Sequence, residues 1–332
     1  MKEIIITKNE DGYKLRKVCA NYLGKAPTSF IYKMLRKKNI VLNDKKADAE
    51  AIVKTGDSIK LYLSDETISK FSSEAANKTA ATSVAKANIG KLQIIYEDKD
   101  FIFCNKPVNV LSQKSSKDDY SINEAILDYL REKGELTDES IKTFKPSVCN
   151  RLDRNTSGII LAGKSSHGSR YLSEVIRNRS LKKYYIAIVS GKCDINGCLT
   201  AYLSKDSKTN KVDIRSSEAE GYNEIKTDIS LLGYDKKEDI SLLKIELITG
   251  KSHQIRAHLS YLGYPIIGDI KYGNKKTNDH FKDIYKVKHQ LLSAYEVLFP
   301  EGEEAVSGKS YYAALPEIYG KVFNDLEAVL DK

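Results

Sequence analysis

The 332-residue sequence has no apolar run of about 18 residues, the length that indicates a helix across a lipid bilayer. It therefore predicts no membrane partner. The N-terminal stretch MKEIIITKNEDGYKL contains only a short apolar run broken by charged residues, which does not match a secretory signal peptide. Together these two absences predict a protein of the cytoplasm.

Cysteine and histidine are also scarce, with five residues of each. Cys193 and Cys198 lack the C-x-x-C spacing of zinc ligands and have no histidine nearby. His253 and His258 are five residues apart, and the glutamate of the H-E-x-x-H zinc motif is missing. We therefore expect no metal site. An odd number of scattered cysteines fits a reducing compartment better than a disulfide framework.

The positive charge of the chain is unevenly distributed. The formal net charge is +9, and residues 1–63 hold 14 Lys/Arg against 7 Asp/Glu, whereas the remaining 269 residues hold 40 against 38. A small basic unit attached to a nearly neutral body is typical of an anchor for a polyanion. A lysine-rich solvated surface would give the same numbers, so charge alone leaves both interpretations open.

Helical periodicity and turn signals divide the first 90 residues into a folded unit and a linker. Two amphipathic helices come first, and the second carries a basic surface opposite its apolar stripe. Short strands follow at NIVL and GDSIKLYL. Residues 65–90 are rich in Ser, Ala, Thr and Lys and have few large apolar residues, so they are predicted to form a flexible linker.

Residues 1–64 resemble the alpha-L RNA-binding domain, a small α/β module found in a ribosomal protein and attached to several RNA-modifying enzymes. The resemblance rests on the basic second helix, IVLNDKKA and the terminal TGDSIKLYL. It implies RNA binding, in which a helix contacts phosphates and reads shape along the wide minor groove of RNA. The predicted contact residues are Lys33, Arg36, Lys37 and Lys38.

Residues 91–332 are predicted to form a larger domain of the α+β class. Strands such as LQIIYE, FIFCNKP and ISLLKIELITG alternate irregularly with helices at 121–133 and at SHQIRAHLSYLG. Ser252 is the predicted N-cap of the last helix. Because no βαβ repeat is visible, we expect a mixed, mainly antiparallel sheet flanked by helices.

One stretch of this domain matches a nucleotide-binding pattern. Gly158, Gly163, Lys164 and Ser165 satisfy G-x-x-x-x-G-K-[ST], the pattern of phosphate-binding loops. Residues 159–162, between the glycines, are Ile, Ile, Leu and Ala, which are typical of a buried strand rather than a flexible loop. The polar residues before the first glycine are a poor strand, so nucleotide binding is not expected.

Polar residues that could carry chemistry occur in three segments, at positions where an ordinary hydrophobic core would have apolar residues. Asp153 lies between Arg151 and Arg154, either as an ordinary surface ion pair or as a carboxylate kept ionised by a guanidinium. Tyr184 and Tyr185 are adjacent on a predicted strand and so face opposite sides of it. One of them must point inward, where an ordinary core tyrosine is the commoner outcome.

The third group of polar residues contains His253 and Arg256 and lies within one of a set of longer motifs. Five such motifs follow one another along the chain, in the order IIYEDKDFIFCNKP, NRLDRNTSGIILAGKS, KKYYIAIVSG, TGKSHQIRAHLSYLGYPIIGDIKYG and HQLLSAYEVLFP. They resemble the signature motifs of the RluA-type pseudouridine synthases, and with the N-terminal unit the resemblance spans residues 13–300. It implies an isomerase that converts uridine to pseudouridine in structured RNA without a cofactor or a metal.

The resemblance also implies roles for individual residues. Asp153 would be the nucleophile, attacking either the sugar or the base, and Arg256 would pair with it and keep it ionised. Tyr185 would pack against the target base and take part in proton transfer. Arg151 would enter the stack that the flipped uridine leaves, and Ile255 would add an apolar wall beside the base.

Two positions depart from the family pattern. Asn150 stands where the family usually has His, and Lys251 stands where it usually has Arg. Lysine lacks the planar fork of arginine, so we expect a looser RNA phosphate contact at Lys251. The three catalytic positions are intact, which predicts activity.

The implied target is large-subunit (23S) ribosomal RNA, because family members with an alpha-L domain mostly act there. Transfer RNA is the alternative target. The alternative to an enzyme is a noncatalytic RNA-binding ribosome-assembly protein of the same fold, and the joint presence of Asp153, Tyr185 and Arg256 argues against it. A monomer is expected.

Overall fold

The structure is a computed structural model that describes residues 1–71, 89–116, 118–206, 212–324 and 326–330. Its N-terminal part is a three-stranded antiparallel sheet with helices packed on it. In chain order the elements are β1 (Lys2–Ile5), α1 (Leu15–Tyr22), α2 (Thr28–Arg36), β2 (Ile40–Leu42) and β3 (Ser58–Leu61), and the strand order is β1-β3-β2. The two predicted helices and the two predicted strands are confirmed, and β1 adds an edge strand.

Both helices bury one face against this small sheet. The buried residues of α1 recur at helical spacing, and Ile31, Met34 and Leu35 of α2 reach the same core. Each such side chain stabilises the fold by roughly 1.5–3 kcal/mol when fully buried. The four basic residues predicted to contact RNA are all exposed, namely Lys33, Arg36, Lys37 and Lys38.

A flexible linker was predicted at residues 65–90, and the prediction is wrong for the first seven of these residues. Asp65–Phe71 form a helix, α3, whose acidic first turn and basic last turn complement the helix dipole. The ring of Phe71 packs 4.6 Å from the ring of Phe30, which ties α3 to the N-terminal core. This aromatic contact extends the folded unit to residue 71. The rest of the predicted linker, residues 72–88, lies outside the described residues.

The remainder of the described chain folds around an 11-stranded sheet. Its strands are β4 (Gln93–Glu97), β5 (Phe101–Lys106), β6 (Ser147–Val148), β7 (Ser157–Gly163), β8 (Lys182–Ser190), β9 (Gly197–Lys205), β10 (Val212–Arg215), β11 (Asn223–Asp235), β12 (Ile240–Leu247), β13 (Leu292–Leu298) and β14 (Ser310–Tyr312). The order is β10-β9-β11-β12-β8-β13-β7-β5-β4, with β14 beside β13 and β6 beside β7. Its ladders are antiparallel apart from a short parallel one between β7 and β13, which confirms the predicted mixed sheet.

Helices cover both faces of this sheet. They are α4 (Ile122–Glu132), α5 (Ser140–Thr143), α6 (Ser166–Arg177), α7 (Gln254–Tyr261), α8 (Lys275–Tyr285), α9 (Ile318–Val322) and α10 (Leu326–Leu330). Along β8, Tyr185 and Ala187 pack into the core shared with α4 and α7, whereas Ile186 and Ile188 pack into the core shared with α8 and α9. This alternation makes β8 a central strand whose α7 side presents Tyr185. None of the described helices is both long and apolar enough to span a membrane.

The apparent phosphate loop is strand β7, as the sequence predicted. All of Ser157–Gly163 is buried, and β5 pairs with residues 158–163. The ammonium of Lys164 lies 2.6 Å from a carboxylate oxygen of both Glu97 and Glu135. Ser165 is the N-cap of α6 and accepts a hydrogen bond with its side chain. The residues of the pattern therefore have structural roles.

Hydrogen bonds join the N-terminal unit to α5 and α6. Asn21 Nδ2 donates to the Thr143 carbonyl at 2.8 Å, and the Ser166 hydroxyl donates to Tyr13 Oη at 2.7 Å. Because α6 follows the C-terminal end of β7, the basic unit sits at that end, whereas Asp153 precedes the N-terminal end. A seven-residue strand extends for about 23 Å. The N-terminal unit and the loop of Asp153 therefore lie at opposite ends of β7.

Candidate active site

The backbone around Asp153, in the loop between β6 and β7, is fixed on both sides. Ser112 Oγ accepts the Leu152 N–H and donates to the Leu152 carbonyl, both at 2.9 Å. On the other side, the Lys106 ammonium donates to the Arg154 carbonyl at 3.1 Å. The side chain of Asp153, 31% exposed, thus projects from a rigid loop and is accessible to a ligand.

Lys106 is a residue of the site that was not predicted from the sequence. Its side chain is fully buried, and its ammonium also donates to the carbonyls of Pro107 and Val110 at 2.9 and 2.8 Å. Burial lowers the pKa of Lys106 to about 7, and the charge of Asp153 opposes this shift. Three carbonyl acceptors match the three protons of an ammonium group, so the charged form is the one that supports the Asp153 loop.

Arg256, on α7, joins two carboxylates. Its Nη1 donates to Asp153 Oδ2 at 2.7 Å. Its Nε and Nη2 donate to the two oxygens of Asp269 at 2.7 and 2.9 Å. Asp269 is fully buried, and a bidentate pair of this kind fixes the plane of the guanidinium. Arg256 is therefore held rigidly by one acid and presented to the other, in the pairing that the family resemblance implied.

Tyr185 brings a buried ring to the same side of the sheet. It is 8% exposed and packs in the core that includes Ile255 and Leu259 of α7. Burial, and to a smaller extent the charge of Asp153, raises the pKa of Tyr185 above its usual value. The hydroxyl therefore stays protonated at neutral pH, and it can donate or relay a proton.

His253 lies beside Asp153 and has an unusual backbone conformation. Ser252 is not the N-cap of α7 as predicted; His253 occupies that position with φ 55°, and the helix begins at Gln254. A left-handed conformation is uncommon for a residue other than glycine. His253 Nε2 lies 3.9 Å from Asp153 Oδ2, and Nδ1 lies 2.8 Å from Tyr272 Oη. Burial lowers the pKa of His253 while Asp153 opposes the shift, so the imidazole forms a polar wall of the site.

Comparisons with known proteins agree with this geometry. A family model described as RNA pseudouridylate synthase matches residues 100–261. An uncharacterised RNA pseudouridine synthase of Mycoplasma genitalium is 31% identical over 302 residues, covering 91% of this chain and 90% of the relative. A ribosomal large subunit pseudouridine synthase C of Buchnera aphidicola is 30% identical over 301 residues, covering 89% of this chain and 88% of the relative. This chain belongs to the RluA-type family of RNA pseudouridine synthases.

A solved structure shows the same fold in another pseudouridine synthase. Human RNA pseudouridylate synthase domain containing 4 aligns with a TM-score of 0.56 and 20% identity, over 71% of this chain and 92% of its own. The segment matched by the family model contains Asp153, Tyr185 and Arg256. The N-terminal unit lies outside that segment, so its assignment as an alpha-L domain stays a prediction.

The other predicted residues of the synthase lie at different depths around the site. Ile255 is 4% exposed in the same core as Tyr185, which suits an apolar wall beside a base. Lys251 is exposed, and its ammonium donates to Asn223 Oδ1 at 3.2 Å. Arg151 is exposed as well. The guanidinium that pairs with Asp153 within the described chain thus comes from α7 and not from the neighbouring arginines in sequence.

Asn150, where the family usually has His, supports strand β7. Its Nδ2 donates to the Ile159 carbonyl at 3.0 Å, and its Oδ1 accepts the Leu161 N–H at 2.8 Å. The side-chain amide thus pairs with β7 as a strand backbone would. The substitution of Asn for His at position 150 therefore affects how strand β7 is supported. The groups described above around Asp153 are not changed by it.

Buried His258 on α7 should make the synthase sensitive to acid. It is 1% exposed, its Nδ1 lies 3.1 Å from Thr227 Oγ1, and burial lowers the pKa of His258 from 6.5 to about 4. Between these values the unfolded chain binds a proton that the folded chain does not. The free energy of unfolding is therefore unaffected by protonation of His258 above about pH 6.5. It falls as the pH drops toward 4, by up to roughly 3 kcal/mol.

The measurement is the free energy of unfolding by urea between pH 4 and 7, for the wild type and for His258→Gln. Glutamine can keep a hydrogen bond to Thr227 but does not titrate. We expect the variant to lose less stability on acidification than the wild type does. Equal losses in the two proteins would show that His258 does not contribute to acid sensitivity.

Proposed function

We propose that this synthase converts uridines of large-subunit ribosomal RNA to pseudouridine with Asp153 as the nucleophile. The observation that supports the proposal best is the setting of that carboxylate. It is accessible, it projects from a loop fixed on both sides, and Arg256 holds it at 2.7 Å. A protonated tyrosine, Tyr185, lies on the same side of the sheet.

The chemistry follows from this arrangement. Asp153 attacks the sugar or the base, the bond between ribose and the base nitrogen breaks, and uracil rotates. The sugar then joins carbon 5 as the bond to Asp153 breaks. Carbon 5 releases its proton, and the nitrogen that lost the ribose gains one. Tyr185 packs against the rotating base and relays a proton, while Ile255 completes the apolar wall. Because Asp153 cannot reach a stacked base, the uridine must flip out, and exposed Arg151 fills the gap in the stack.

The choice of target RNA is supported by relatives such as the Buchnera protein, whose name gives the large ribosomal subunit as its substrate. Mapping of pseudouridines in RNA from cells with and without the gene tests it. We expect one or a few positions in large-subunit ribosomal RNA to lose pseudouridine. Loss confined to transfer RNA would contradict the target, and unchanged RNA of every class would contradict the proposed function.

The exposed basic surface of the N-terminal unit is proposed to anchor the RNA through its phosphates. Replacing its four basic residues with glutamine should reduce the log–log salt slope of RNA binding by roughly 0.7–0.9 for each lost phosphate contact. The maximal rate on bound RNA should change little. The substitutions are made at Lys33, Arg36, Lys37 and Lys38.

A matched control removes four exposed lysines outside the N-terminal unit, two in the turn between β11 and β12 and two at the end of α8, at Lys236, Lys237, Lys282 and Lys286. Binding is measured by filter retention of labelled RNA at several salt concentrations. The anchor role predicts a shallower slope for the first variant only. Equal slopes for the two variants would show that net charge, and not this surface, determines binding.

A further inference from the structure

Lys183 lies beside Tyr185 on the same face of β8. Side chains alternate along a strand, so residues two apart share a face and stand about 7 Å from each other. Tyr185 faces the core of α4 and α7, and Lys183 therefore points to that side as well. Lys182 and Tyr184 point to the other side. Lys183 is thus at the edge of the place where the uracil is proposed to bind.

Lys183 is half-buried, and its ammonium makes no hydrogen bond or ion pair with the described residues. Burial lowers the pKa of Lys183, and the second cause is the positive charge of Arg179. Glu246 opposes the shift with a smaller effect, because it pairs opposite Tyr184 on the other face of the sheet. A half-buried cation with a second cation nearby and no acid at contact is unfavourable unless an anion binds there.

Arg179 adds an exposed guanidinium from an unusual position. It follows the C-cap residue of α6, Asn178, and adopts a left-handed conformation with φ 64°. Glycine is the usual residue at this point of a helix end, because a side chain is strained in this conformation. A glycine at this position would avoid that strain. The planar fork of arginine matches the oxygens of a phosphate.

Gly250, in the loop before α7, lies beside the Lys183 ammonium. A Cβ atom built on Gly250 would stand 4.0 Å from Lys183 Nζ, so a longer side chain at this position would cover the ammonium. Gly250 and the next residue, Lys251, are both exposed. A ligand can therefore reach Lys183 from the same side as the loop that carries His253.

We propose that Lys183 and Arg179 form a binding site for one backbone phosphate of the RNA, next to the target uridine. Lys183 binds the phosphate from the floor of the site and Arg179 binds it from the rim. Phosphate contacts of this kind position nucleic acid without reading its sequence. The site would fix the ribose of the flipped nucleotide relative to Asp153. This inference rests on the proposed function, because its ligand is the RNA substrate.

The test compares Lys183→Met with Lys182→Met in the full-length protein. Both variants lose one positive charge at adjacent positions, but only the first removes a cation from the Tyr185 face. The assay is tritium release from carbon 5 of uridine-labelled ribosomal RNA prepared from cells without the gene. We expect Lys183→Met to raise KM about 10-fold or more, with kcat within about twofold, and to reduce the salt slope by roughly 0.7–0.9.

Thermal melting separates a binding role from a structural one. Removing an unpaired, half-buried cation should leave the melting temperature equal to or above that of the wild type. Lys182→Met should match the wild type in KM, in salt slope and in melting. An unchanged KM for Lys183→Met, or a loss of kcat together with a lower melting temperature, would overturn the phosphate site. A wild type that releases no tritium would instead contradict the proposed function.

Two further changes keep the test decisive if Lys183→Met folds poorly. Arg179→Gly should weaken RNA binding several-fold while raising the melting temperature, because glycine relieves the left-handed strain. A synthetic stem-loop with the mapped uridine can also carry a neutral methylphosphonate at each flanking linkage in turn. At one linkage this change should weaken binding by the wild type. The same change should have little effect on the double variant Lys183→Met, Arg179→Gly, which lacks both cations. Equal losses in both proteins at every linkage would overturn the proposal.

Discussion

Asp153→Asn is expected to abolish pseudouridine formation without unfolding the protein. The substitution keeps the size of the side chain and removes the attacking carboxylate, so turnover should fall by on the order of 10⁴-fold or more. Stability should change by less than about 1 kcal/mol, because the side chain is partly exposed and Arg256 keeps its buried partner, Asp269. RNA binding should persist, since the phosphate contacts are intact.

The measurement is pseudouridine formation in RNA from cells that lack the gene, beside a binding assay and a melting curve. Asp153→Glu is a useful control, since it keeps a carboxylate but displaces it from the fixed loop position. Near-normal turnover by Asp153→Asn would exclude Asp153 as the nucleophile. An unfolded variant would show that the carboxylate is structural.

The partner acid should behave in the opposite way, because Asp269→Asn is expected to destabilise the fold strongly. Asp269 is fully buried and accepts from Arg256 through both oxygens, as well as from the Lys271 and Tyr272 N–H groups. An asparagine NH₂ would face a guanidinium N–H donor and leave a buried charge poorly paired. Breaking a buried pair in this way costs about 3–5 kcal/mol.

The free energy of unfolding in urea checks this prediction, with Asp153→Asn as the matched control on the same arginine. The double variant Asp269→Leu, Arg256→Met removes the buried charge together with its partner. It should recover most of the lost stability and remain inactive, since Arg256 no longer orients Asp153. Wild-type stability in Asp269→Asn would show that the buried pair does not hold the guanidinium.

Most elements of the fold could be predicted from local patterns. Strands β5, β7 and β8 are buried on both faces, so they appear in the sequence as apolar runs, and the two N-terminal helices show helical spacing of their buried residues. Strands β9, β10 and β11 were not predicted, because only scattered positions reach a core and the rest are partly or fully exposed. β10 pairs with β9 and β9 pairs with β11, so these strands form through one another rather than through their own composition.

The contacts within the site could not be predicted from spacing. Asp153 and Arg256 are 103 positions apart, and their pairing was implied by the family resemblance and not by the pattern of residues. Asp269 and Lys106 were missed because an acid or a lysine that is buried looks the same in sequence as one on the surface. His253 lies 3.9 Å from Asp153 and has a left-handed backbone, a conformation that residue type alone signals reliably only for glycine.

The most direct test of the account is tritium release by the purified full-length protein. The substrate is RNA labelled at carbon 5 of uridine, taken from cells without the gene and separated into ribosomal and transfer fractions. Excess chelator is present and nucleotides are absent, since neither a metal nor a cofactor is expected. We predict release from large-subunit ribosomal RNA by the wild type and none by Asp153→Asn. No release from any fraction by the wild type, or equal release by both proteins, would contradict the account.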